Sequence, residues 1–120
     1  MWQDDWIMRQ VHQLAAGLAS SLGGKTVDLE EMDLDFEDLF GREPALLATM
    51  SEGALLTMVR GPDGLDAARA VALAVGLART EPARSKALAI LDAALAAAPS
   101  LATPELLALQ EALNHAVSVH

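Results

Sequence analysis

The sequence predicts an all-α protein, a compact antiparallel helical bundle of five to seven helices headed by a long N-terminal helix. Three observations predict it. Hydrophobic residues make up 52% of the chain but aromatics only 3%, so alanine and leucine, both strong helix formers, carry the apolar content. Few β-branched or aromatic residues means little strand. Apolar residues recur at spacings of three and four, and Gly, Pro and Thr punctuate the runs. A chain of 120 residues is expected to form one domain. It divides into a long helix over 1–24, an acidic link with a short helix over 25–43, and a helical bundle over 44–120.

The first helix is expected from Asp4 or Asp5 to Leu22. Ile7, Val11, Leu14, Leu18 and Leu22 form one stripe, which Met8 and Ala15 widen. The early aspartates favour the positive end of the helix dipole. Gly23 and Gly24 end it, because glycine takes the left-handed C′ conformation without steric cost. Trp2 and Trp6 lie nearly opposite the stripe at 100° per residue, beside Arg9, Gln13, Ala16, Gly17 and Ser20. A helix packed on one core needs only the first stripe. The aromatic side is either covered by a following loop or free as an interface, and Trp2, Trp6, Arg9 and Gln13 are the candidate interface residues.

Val27 to Phe40 alternates acidic and apolar residues. A short helix opening at Asp35 and closing at Gly41 is expected there. Pro44 to Met50 reads as a short helix, and Ser51 caps another over 52–60. Gly61 to Gly64, "GPDG", is a turn by composition. A helix over 65–79 is apolar nearly all round between Arg69 and Arg79, which suits a central position. The next helix opens at Thr80 with Pro82 and runs to Ala98, with Leu88, Leu91, Leu95 and Ala98 inward and Pro99 beyond its end. Thr103 with Pro104 is the strongest start signal, opening a helix to Val117 whose core stripe is Leu106, Leu109, Leu113 and Val117. The last three helices start at intervals like those of tetratricopeptide repeats, without that repeat's signature residues. The methionines near these stripes read as core filler.

Eight basic and 17 acidic residues leave a net charge of −9. That balance repels phosphodiester backbones and anionic bilayers, so neither nucleic acid nor membrane is expected as a partner. There is no cysteine, hence no disulfide and no thiol chemistry. "MWQDDW" lacks the basic and apolar regions of a signal peptide. The uncharged run from Ala70 to Ala78 is far short of the roughly 20 residues a spanning helix needs. A cytoplasmic location is the expectation.

"ASSLGGKT", Ala19 to Thr26, has the spacing of a phosphate-binding P-loop. Such a loop needs a strand entering it and a helix leaving it. Here a helix enters, and the carboxylate-dense stretch Asp28 to Asp38 follows and would repel a triphosphate. Capping of the first helix by Gly23 and Gly24, with Lys25 facing its carbonyls, accounts for the motif. Asp33, Asp35 and Glu37 suggest a calcium loop, but Asp38 and Pro44 stand where an EF-hand needs Gly and Glu. Glu111 and His115, at i and i+4, offer two metal ligands and no third. His12 reads as a boundary residue of the first stripe, and His120 is terminal. No nucleophile motif appears. No catalytic residue, cofactor site or metal site is therefore expected.

"DDWIMRQVHQL", Asp4 to Leu14, followed by "DLDFEDLF", Asp33 to Phe40, resembles a family of short bacterial all-helical proteins classed as a domain of unknown function. The resemblance covers most of the chain and is clearest in its first 60 residues. It implies a helical fold with tetratricopeptide-like pairing in the C-terminal half. It implies no activity and no site residues.

The function expected is a non-enzymatic interaction module that self-associates, as a homodimer, through its N-terminal helix. The alternative is a small-ligand- or metal-binding helical protein, enzymatic or not. It would use a pocket between helices with carboxylates from Asp28 to Asp38 or Glu111 with His115.

Overall fold

An unbroken run of small and branched apolar residues, Ala70 to Ala78, has no polar face to offer to water, so it must be enclosed. In the computed structural model, which describes residues 5–22, 24, 44–62, 64–79 and 83–118, that run is buried at every position. The described residues form α1 (Asp5–Leu22), α2 (Pro44–Ala48), α3 (Glu52–Met58), β1 (Arg60–Gly61), β2 (Gly64–Leu65), α4 (Ala67–Leu77), α5 (Arg84–Ala97) and α6 (Pro104–Ser118). A 3-10 turn, Pro99–Leu101, leads into α6. The all-α expectation holds. The expected short helix at Asp35 lies outside the described residues.

The bundle is built around α4. It packs most extensively on α5, and it also touches α1 and α2. Helix α6 lies on α5 and, more extensively, on α1. Val11, Leu14 and Leu18 of α1 join Leu73, Leu77, Ile90, Leu91, Leu106, Leu109 and Leu113 in one core cluster. No polar or charged side chain is buried among the described residues. Met50 and Met58 pack against the cluster's edge, as expected of gap-filling methionines.

Several boundaries are set by side chains that satisfy helix-end amides. Ser51 Oγ accepts from the Ala54 amide at 3.2 Å, and Thr103 Oγ1 accepts from the Leu106 amide at 3.4 Å. Both caps were expected. The central helix starts two residues later than expected, at Ala67, because Asp66 caps it: Asp66 Oδ1 accepts from the Arg69 amide at 3.3 Å. Leu65, expected in the helix, belongs to β2. The "GPDG" stretch is more than a turn. Arg60 pairs with Leu65 and Gly61 with Gly64 in a two-residue antiparallel ladder. Gly64 has φ +113°, a conformation that excludes a Cβ at low cost.

The start and inward face of α5 also differ from expectation. Its first helical residue is Arg84, and Ala83 before it supplies no side-chain cap; Thr80 and Pro82 lie outside the described residues. The buried set is Ala87, Ile90, Leu91, Ala94 and Leu95, with Leu88 and Ala98 only half-buried. Helix α5 is clamped between α4 and α6, so its buried arc is broad and centres on small Ala87 and Ala94, which let another backbone come close. A search for leucines alone misses that.

Helix α2 has five residues, fewer than an isolated helix needs. It is held from outside. Lys86 Nζ, on α5, donates to the Ala48 carbonyl at 2.8 Å across 38 residues of sequence.

Candidate functional site

Helix α1 has two unlike sides. Val11, Leu14, Ala15 and Leu18 are buried in the core, and Gly17, expected on the side of Trp2 and Trp6, is buried as well. Arg9 and Gln13, two of the expected interface residues, are exposed. Trp6 occupies a helical position on the same side, one turn before Arg9. Trp2 lies outside the described residues.

Further along α1 that exposed side opens into a groove of about 640 Å³ between α1 and α6. Ala16, Ala19 and Ser20 form one wall, and Ala108 and Ala112 the other. Where these small side chains face one another, the two packed helices leave a hollow between them. Leu22 and Pro104 also line it. Its titratable lining comes from α6: Glu105, Glu111 and His115, of which Glu111 and His115 are exposed and Glu105 is half-buried in the helix's first turn. A pocket between helices with Glu111 and His115 was the alternative expected from the sequence, but its α1 wall was not. Its α6 residues follow a three-and-four spacing readable along the helix, but which α1 residues they meet depends on tertiary packing.

The sequence-expected Glu111 and His115 pair is thus brought to one wall. No group of three metal-ligating side chains occurs among the described residues. His12 is half-buried at the stripe's margin, as expected, with its Nε2 shielded and without a hydrogen-bond partner among the described residues. His120 and the acidic stretch 28–38 lie outside the described residues.

In the P-loop-like stretch, Ala19 to Leu22 are the last turn of α1, and Gly24 follows at φ +95° with its amide bonded to the Ser21 carbonyl at 3.1 Å. A helix, not a strand, enters the stretch, and a left-handed glycine ends it. Gly23, Lys25 and Thr26 lie outside the described residues. No helix among the described residues is long and apolar enough to cross a membrane.

No family model matches the chain, and no match to it is found among curated proteins or solved structures. The family resemblance of residues 4–14 and 33–40 therefore stands on those residues alone, and the functional reading rests on the geometry of α1 and its groove.

Proposed function

We propose that the chain is a non-enzymatic protein-interaction module that associates with a second copy of itself through α1, by the side carrying Trp6, Arg9 and Gln13. The observation that supports it is the exposure of Arg9 and Gln13 on a helix whose opposite side is already fully committed to the core. A second face of this kind, continuous with an apolar groove, gains by leaving water against a partner. Tryptophan at two positions in that series supplies the large rigid side chain that most often anchors an interface. The cytoplasm is the compartment proposed, on the absence of cysteine and the acidic balance.

Light scattering at high micromolar concentration tests the reading. A mass of two chains is expected, and Trp6→Ala is expected to lower it towards one. A single-chain mass at those concentrations, with both tryptophans protected from an added quencher as buried residues are, ends it.

The second reading has its own observation: Glu111 and His115 share the wall of the groove. A small ligand seated there would meet an apolar floor and two polar groups, the usual make-up of a ligand pocket. A thermal-shift screen with divalent metals and nucleotides separates the readings. A rise of several degrees that Glu111→Ala removes favours ligand binding.

A further inference from the structure

Residues 44–58 are held differently from the rest of the molecule. Their helices, α2 and α3, have five and seven residues, each too short to persist alone. Leu47 and Leu55 are fully buried, whereas Leu46, Thr49, Gly53, Ala54 and Thr57 are exposed. Among the described residues, α2 rests on α4 and α3 on α5, while the extensive interfaces are those of α4 with α5 and of α1 with α6. The hydroxyl groups of the stretch bond within it. Thr49 Oγ1 donates to the Leu46 carbonyl at 2.7 Å, and Thr57 Oγ1 to the Gly53 carbonyl at 2.9 Å. Ser51 caps α3. Among the described residues, one hydrogen bond leaves the stretch for another helix, from Lys86 Nζ to the Ala48 carbonyl. That carbonyl ends α2, where no amide of the helix reaches it. Just downstream, Val59 is fully buried, and its carbonyl accepts from the Asp66 amide at 2.9 Å beside the β1–β2 ladder.

We infer that residues 44–58 form a strap that lifts from the bundle as a unit while α1, α4, α5 and α6 stay packed, turning at Val59, with the Lys86 ammonium as its latch. Parts of a protein that bury little apolar surface and carry solvent-exposed hydrogen bonds open below the global unfolding free energy, in contiguous units. The strap fits that description, and the bundle keeps both of its extensive interfaces when the strap is away. Lifting takes Leu47 and Leu55 out of the core and uncovers the faces of α4 and α5 beneath them. Once lifted, α2 and α3 have no neighbour to hold them and unwind. The Ala48 carbonyl is the acceptor that Lys86 gives up on opening, and water replaces it. A hydrogen bond from an ionised donor is stronger than a neutral one, so this single bond weighs heavily against so few buried side chains. The strap is independent of the self-association reading and involves none of its residues.

Native-state hydrogen exchange on the full chain, followed by NMR in low concentrations of urea, provides the test. Inside the strap the Met50 amide bonds the Leu47 carbonyl at 3.1 Å and the Leu55 amide bonds the Ser51 carbonyl at 3.0 Å. Both are expected to exchange about a hundredfold or more faster than the amides of Leu73, Leu91 and Leu109. Their urea dependence should also be weaker, because less surface is exposed. Leu109→Ala weakens the bundle whether the strap is closed or lifted. It should speed exchange at Leu73 and Leu91 and leave Met50 and Leu55 unchanged. Leu47→Ala, on α2, should speed Leu55 in α3 as much as Met50, since the strap moves as one. Lys86→Met keeps the stem and removes the ammonium. Because it acts on the closed state, it should speed strap and bundle amides by the same factor, roughly tenfold. If Met50 and Leu55 exchange as slowly as Leu73 and speed up with it in Leu109→Ala, residues 44–58 open only on global unfolding and the strap is wrong. If Leu47→Ala speeds Met50 but not Leu55, the two helices do not move as a unit. If Lys86→Met alters none of the rates, Lys86 is not the latch.

Discussion

Helices α4 and α1 are both rich in alanine, yet α4 is enclosed on every side from Ala70 to Ala78, whereas α1 leaves Arg9 and Gln13 in water. What differs is the neighbours. Among the described residues, α4 has α1, α2 and α5 packed around it, and α1 has α4 and α6 as its major contacts. In α4, alanine lets neighbouring backbones close in until no water remains. Between α1 and α6 the same residue leaves a hollow, which no other element among the described residues fills. Alanine therefore serves the core or an open groove according to how many elements surround it, and its abundance alone does not distinguish the two.

The largest effect expected is at the enclosed helix. Leu73→Ala should cost about 2–5 kcal/mol in urea unfolding, because it empties a site from which water is fully excluded. A loss under about 1 kcal/mol would mean that α4 is not the centre of the bundle and would break the contrast with α1.

The two helix caps sharpen it. Asp66→Ala removes the cap of the enclosed helix and Thr103→Ala that of the open-flank helix, and each should cost roughly 1 kcal/mol. Their sum in the double variant should be additive to within about 0.5 kcal/mol if the caps act independently. At the small end, Gln13→Ala should change the monomer's stability by no more than about 0.5 kcal/mol, since its side chain is exposed. A loss of 1 kcal/mol or more would show that the outer side of α1 is already packed within one chain.

The parts of the fold that repeat with helical period, or that carry a cap, were legible in advance. The stripe Val11, Leu14 and Leu18, the enclosed run 70–78, the Ser51 and Thr103 caps and the core leucines Leu106, Leu109 and Leu113 all follow from local chemistry. Three features did not. The ladder of Arg60 and Gly61 with Leu65 and Gly64 is too short to leave a pattern of alternation. The inward face of α5 turns on Ala87 and Ala94, which carry no strong hydrophobic signal. The groove joins α1 to α6 across some 80 residues of intervening sequence, and no spacing within one helix reveals which residues of another lie opposite. At the candidate interface, Arg9 and Gln13 were readable as the off-stripe side of α1, but their continuity with the groove was not.

The ammonium of Lys86 that closes the last turn of α2 also imposes an order of events. Residues 44–48 leave the ribosome well before their anchor exists, and five residues cannot hold a helical shape unaided. That stretch therefore has its full set of tertiary partners only once both α4 and α5 have been made. Maturation of this protein runs backwards there, with a later segment giving shape to an earlier one.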